Sequence, residues 1–145
     1  MTRIIRKLNL VIVDDDPSIV RLVETFLKDP FKSKVVIKTF TNSIDAKEWI
    51  DNHCCDVLIS DIEMPEVDGL EMLKFAKHRN AWTQVVFMTA HSTWDRITEA
   101  IENGATDYLL KPLEKESVLA IVEQECIRFS RWQEAVIGTL KPSAS

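Results

Sequence analysis

The sequence predicts an α/β domain built on a parallel sheet, and three observations carry that prediction. Short apolar runs alternate five times with stretches of helical periodicity. The runs are apolar almost throughout, as strands buried on both faces must be. Strand and helix repeat in turn, which implies right-handed crossovers between parallel strands.

The predicted strands are Leu10–Val13, Val35–Phe40, Val57–Ser60, Val85–Met88 and Tyr108–Leu110. After the first, Ile19, Leu22, Val23, Phe26 and Leu27 recur at helical spacing, with Asp16 as cap and Pro17 in the first turn. Asn42 or Ser43 caps the second helix and Asp68 the third. Ile97, Ala100 and Ile101 mark the fourth, which Gly104 stops. Beyond the fifth strand, Leu119, Val122, Cys126, Phe129, Val136 and Leu140 continue a three-and-four spacing broken by Gln133. Its first half reads as the core face of a last helix. The second half outruns the sheet and calls for another partner, a second copy or an output domain. The expected division is residues 8–128 as the domain and 129–145 as a helical extension ending in a linker-like tail. Trp49 and Trp82 read as packing residues, Trp94 as near the pocket or on the following helix and partly buried, and Trp132 as lying beyond the core domain.

At 145 residues, 46% hydrophobic and 28% charged, the chain fits one globular domain. No apolar run approaches the roughly 20 residues that span a bilayer. The basic start Met1–Lys7 precedes no small-residue cleavage site, so no signal peptide is read. The expectation is a soluble, cytoplasmic protein with no membrane partner. A net charge of −5 with scattered basic residues argues against a direct nucleic-acid surface. The three cysteines lack framework spacing, which suits reduced thiols. His53-Cys54-Cys55 is set aside as a metal site, because adjacent side chains rarely converge on one ion and no second ligand pair follows.

In open parallel sheets ligands sit outside the carboxyl ends of the strands. Four strand ends are informative here: Asp14, Asp15 and Asp16 follow the first strand, Asp61 the third, Thr89 the fourth and Lys111 the fifth. Clustered carboxylates need a cation, and hard oxygen donors select Mg²⁺, or Mn²⁺, over zinc. An ammonium and a hydroxyl can hold phosphoryl oxygens. Phosphoryl transfer needs little beyond such positioning and charge neutralisation, and an aspartate can accept the group covalently.

With Val13-Asp14-Asp15-Asp16-Pro17, Ser60-Asp61-Ile62-Glu63-Met64-Pro65-Glu66-Val67-Asp68-Gly69, Met88-Thr89-Ala90 and Lys111-Pro112 in this order, the chain resembles the receiver domains of two-component response regulators. The resemblance covers roughly residues 8 to 125. It implies a flavodoxin-like doubly wound (βα)5 fold with a five-stranded parallel sheet ordered 2-1-3-4-5. It makes Asp61 the phosphoacceptor, and assigns Mg²⁺ to Asp14, Asp15, Asp61 and the backbone carbonyl of Glu63. Lys111 becomes the phosphate-binding lysine, followed by a cis bond to Pro112. Thr89 becomes the switch hydroxyl and Tyr108 the aromatic that follows it. Glu63 and His91 fall at positions that vary in the family and tune phosphate lifetime. Asp16 reads as a cap rather than a third ligand.

The resemblance further implies a signalling switch with no separate substrate turnover, phosphorylated by a sensor histidine kinase or a histidine phosphotransfer protein. The affected surface would run from about Trp94 to Phe129, with a homodimer through the C-terminal helix as one outcome. Two alternatives stand beside it. A Mg²⁺-dependent aspartyl-phosphate phosphatase would use Asp14 and Asp16, but leaves Asp61 unexplained. A degenerate receiver would act only as a docking module. A flavin module is discarded, since three aspartates after the first strand would repel the flavin phosphate.

Overall fold

The computed structural model describes residues 6–90 and 92–140; the readings for His91, for residues 1–5 and for the tail 141–145 lie outside them. Five strands, β1 (Leu8–Val13), β2 (Val35–Phe40), β3 (Val57–Asp61), β4 (Gln84–Thr89) and β5 (Asp107–Leu110), alternate with five helices. The helices are α1 (Pro17–Lys28), α2 (Ser43–Asn52), α3 (Gly69–Arg79), α4 (Trp94–Glu102) and α5 (Lys115–Leu140). All strand pairs are parallel, in the order β2-β1-β3-β4-β5. This is the flavodoxin-like arrangement that the resemblance implies.

Strand alternation divides the core into two layers. Leu10 and Ile12 of β1, Ile59 of β3 and Met88 of β4 face α1 and α5, meeting Val20, Val23, Leu27, Val118 and Val122. Val11 and Val13, Leu58, and Val85 and Phe87 face the other way, against Ala46, Ile50, Leu70, Leu73 and Ala76. Burying each large aliphatic side chain contributes about 1.5–3 kcal/mol. Together the two layers hold the sheet between its helices.

Four strands run longer than their apolar runs. β1 starts at Leu8, because the Asn9 side chain donates to the Cys54 carbonyl and so sits inside the sheet without cost to pairing. β3 extends by Asp61, β4 by Gln84 and Thr89, and β5 by Asp107, so Asp61 and Thr89 are the last residues of their strands rather than the first of the loops. Their backbones are fixed by the sheet. Asp16 caps α1 through Ser18, Asn42 caps α2 through Ile44 and Asp45, and Asp68 caps α3 through Glu71. The choice between Asn42 and Ser43 thus falls to Asn42. Gly104 follows the end of α4 at φ 92°, the left-handed region that glycine enters freely.

Two tryptophan readings need correction. Trp82 is half exposed, on the turn before β4, and Trp94 is 77% exposed as the first residue of α4. Each lies at an element boundary, where periodicity says nothing about which way a side chain points. Trp49 does pack, stacked on His53 and tilted against Phe40. No helix among the described residues is long and apolar enough to cross a membrane.

Candidate functional site

The carboxyl edge of the sheet gathers the four groups read from the strand ends. Asp14 follows β1 and is fully buried; one of its oxygens accepts from the Asp16 N–H at 2.9 Å. Asp15 is exposed beside it. Asp61 ends β3 with its side chain largely shielded. Oxygens of Asp14, Asp15 and Asp61 lie within 4.8 Å of one another, the one such group of potential metal ligands among the described residues. Three carboxylates this close repel, and the donor set is all oxygen. It fits a hard divalent cation such as Mg²⁺ or Mn²⁺.

Lys111 follows β5, where its N–H donates to the Thr89 carbonyl at 2.9 Å and its bond to Pro112 is cis. The backbone is thereby tied to the end of β4. Its ammonium donates to Asp14 at 2.8 Å and stands 3.4 Å from Asp61. Burial works against the charged ammonium, but bonding to Asp14 and the charge of Asp61 outweigh it and raise the lysine pKa. Burial, then the charge of Asp14, pushes the Asp61 carboxyl up, against the opposing pull of Lys111 and of the Glu63 N–H.

Thr89 is buried and its hydroxyl bonds to that of Ser92 in the following loop. Tyr108, on the edge strand, is 59% exposed. Glu63 is exposed, and its carboxylate meets the Arg96 guanidinium at 2.8 Å. Arg96 also reaches Asp68 at 3.3 Å, so the first turn of α4 is tied to the loop after Asp61. Sequence reading missed Ser92 and Arg96. The signal for Arg96 was available: a cation in the first turn of a helix opposes the helix dipole and asks for carboxylates nearby. Asp16 stands apart from the cluster. It accepts from both the N–H and the hydroxyl of Ser18, which holds its carboxyl below the usual range.

The loop between Asp61 and α3 is closely packed. A side chain at Gly69 would collide with the Asp61 carbonyl and come within 2.7 Å of the Ile62 Cα. The Gly69 N–H donates to the Ile62 carbonyl at 2.8 Å. A cavity of about 480 Å³ lies at the opposite edge of the sheet among Val57, Trp82, Gln84, Phe129, Trp132 and Val136. It shares no residue with the carboxylate cluster. His53, Cys54 and Cys55 diverge: His53 stacks on Trp49, and the buried Cys55 thiol donates to the Val57 carbonyl.

Residues 10–123 match the family model of the response regulator receiver domain. The chain is 37% identical over 123 residues to the DNA-binding transcriptional regulator NtrC of Escherichia coli K12, covering 85% of this chain and 26% of that protein. It is 33% identical over 138 residues to the transcriptional regulatory protein ZraR of Klebsiella oxytoca, covering 95% of this chain and 30% of the regulator. The chain thus spans less than a third of either relative's length. Among solved structures, the chemotaxis protein CheY4 of Vibrio cholerae superposes with a TM-score of 0.72 at 26% identity, over 82% of this chain and 98% of that one.

Proposed function

Because the chain belongs to the response regulator receiver domain family, we propose that Asp61 is its phosphoacceptor, charged by a phosphohistidine on a sensor histidine kinase or a histidine phosphotransfer protein. Receivers of this family accept phosphoryl groups in two-component signalling and typically bind Mg²⁺. The observation that carries the assignment is the Lys111 ammonium held between Asp14 and Asp61 at the carboxyl edge. It is a fixed positive charge beside the carboxylate that would carry the new negative group.

In the transfer, an Asp61 oxygen attacks phosphorus, the O–P bond forms as the P–N bond to the donor imidazole breaks, and the electron pair leaves with the nitrogen. Asp14, Asp15, Asp61 and the Glu63 carbonyl would hold the cation. Mg²⁺ there offsets the repulsion among the carboxylates and the charge of the phosphoryl oxygens. Mn²⁺ suits the same donors. Lys111 meets one phosphoryl oxygen and the Thr89 hydroxyl, once released from Ser92, meets another. Withdrawal of Thr89 leaves room beneath the loop, and Tyr108 turns inward from its exposed position. The bias then spreads over the surface from Trp94 to Phe129.

We take residues 8–128 as the domain proper and the described residues from 129 to 140 as a helical extension of it. Trp132, Val136 and Leu140 are exposed at four-residue spacing on the far half of α5, which supports a homodimer through that helix. A cytoplasmic location suits a protein charged by a kinase, and the acidic net charge suits a chain with no nucleic-acid contact of its own. The phosphatase alternative is weaker, since Asp16 is committed to Ser18 as a helix cap.

Intact mass and tryptophan fluorescence with acetyl phosphate, with and without Mg²⁺, test the assignment. The expected result is a Mg²⁺-dependent gain of one phosphoryl group, lost in Asp61→Asn. Robust Mg²⁺-dependent labelling of Asp61→Asn overturns it.

A further inference from the structure

We propose that Ser43, the first residue of α2, is a positioning residue for the loop after Asp61, and that its hydroxyl sets the Mg²⁺ affinity of the site. The inference rests on the Mg²⁺-binding receiver reading above and concerns a residue outside the strand-end motifs.

Serine at a helix start usually caps the helix, yet here Asn42 does so, accepting from the Ile44 and Asp45 N–H groups. The Ser43 hydroxyl is therefore free for another use. It is buried, and it donates to the Pro65 carbonyl at 2.9 Å while accepting from the Val67 N–H at 3.1 Å. One oxygen thus satisfies two backbone groups of a different loop, with Glu66 between them at φ 68°. That conformation is uncommon for a residue with a side chain and persists only where the surroundings impose it. The two bonds of Ser43 hold the residues on either side of Glu66.

The consequence reaches the site through a short span of chain. Ile62 is tied to Gly69, and the Glu63 N–H faces the Asp61 carboxylate. Pro65 and Val67 are tied to Ser43. Glu63 and Met64 lie between these two fixed points, with Met64 packed against the core and the Glu63 side chain paired with Arg96, so the Ser43 bridge is one of the restraints that direct the Glu63 carbonyl. The helix carrying Ser43 is itself set on the sheet by Ala46 and Ile50. The hydroxyl thereby transfers the position of α2 to the one backbone oxygen assigned to the cation. Groups that orient metal ligands commonly change affinity about 10- to 100-fold when removed.

Calorimetric Mg²⁺ titration of the wild-type chain, Ser43→Ala and Ser43→Thr tests this, alongside thermal unfolding without Mg²⁺. Ser43→Ala is expected to bind Mg²⁺ about tenfold more weakly, with phosphorylation by acetyl phosphate restored at saturating Mg²⁺. Ser43→Thr, which keeps the hydroxyl, is expected to recover most of the affinity. An unchanged Mg²⁺ affinity in folded Ser43→Ala overturns the proposal, as does weakening that Ser43→Thr fails to recover. A wild-type chain that binds no Mg²⁺ instead overturns the receiver chemistry itself, a distinct outcome. Hydrogen exchange at the Val67 amide of the wild-type protein gives an independent reading that needs no variant to fold. Slow exchange supports the bridge, and exchange as fast as in an open loop overturns it.

Discussion

The Lys111 ammonium stands closer to Asp14 than to Asp61, 2.8 Å against 3.4 Å. Its strongest partner is thus a proposed cation ligand rather than the proposed acceptor. Two positive charges, ammonium and metal, would then share the Asp14 carboxylate. Lys111→Met removes one competitor and is expected to tighten Mg²⁺ binding, roughly five- to tenfold, since a screened pair at this distance is on the order of 1 kcal/mol or more. The same variant should slow acetyl phosphate labelling, having lost a contact to the phosphoryl oxygen. Calorimetry and intact mass read the two effects separately, and weaker Mg²⁺ binding in Lys111→Met would show that the lysine orders Asp14 rather than competing for it.

Gly69 bears on the acceptor through its lack of a side chain. Its Cα packs so tightly on the Asp61 carbonyl and Ile62 that a methyl group has no space, and the contacts are backbone, which cannot rotate away. Gly69→Ala is expected to cost about 1–3 kcal/mol in denaturant unfolding and to lower the phosphorylation rate at fixed Mg²⁺ by displacing the loop. A stability and rate equal to wild type would mean that the loop relaxes freely, against the pinning described for Ser43.

What the sequence made legible was whatever depended on the chain's own period. Apolar runs such as Val85–Met88 locate the strands, and parallel topology then brings Asp14, Asp61, Thr89 and Lys111 to one edge. What it hid were contacts between segments distant in sequence. Ser43 with Pro65, and Arg96 with Glu63 and Asp68, join pieces 22 to 33 residues apart, and each residue alone passes for a helix cap or a solvated cation. Trp82 and Trp94 were misread for a related reason: residue type suggests burial, but an element boundary lets the side chain leave the core.

Glu125 provides a pH-dependent test away from the site. It is buried on α5, bonded by Arg128, which also donates to Gln84. Burial raises its pKa, only partly offset by the nearby Arg128 charge. A carboxyl raised in the folded state binds its proton more tightly there than in the unfolded chain. Stability from that proton is full below the unfolded pKa and is lost as pH rises through the folded value. Glu125→Gln, neutral at every pH, should therefore be more stable than wild type at neutral pH and lose that advantage in acid. Urea midpoints at several pH values check this, and a variant less stable than wild type at neutral pH would show that the bond with Arg128 outweighs burial.

Arg96 joins α4 to the loop after Asp61 through two carboxylates, while Thr89 holds Ser92 at the other end of the same β4–α4 connection. Both contacts oppose the movement assigned to Thr89 on phosphorylation. The ion pairs are partly exposed, so their loss should cost little global stability, about 1 kcal/mol or less. Their effect should instead be local. Arg96→Ala is expected to speed hydrogen exchange over residues 92–97 in the unphosphorylated protein and to reduce the difference on adding beryllofluoride with Mg²⁺, because part of the restraint is already gone. Raising salt should move the wild-type protein in the same direction and leave Arg96→Ala nearly unchanged, since screening acts on the charges the variant lacks. Exchange that stays wild-type in Arg96→Ala would place the restraint on the Thr89–Ser92 contact alone.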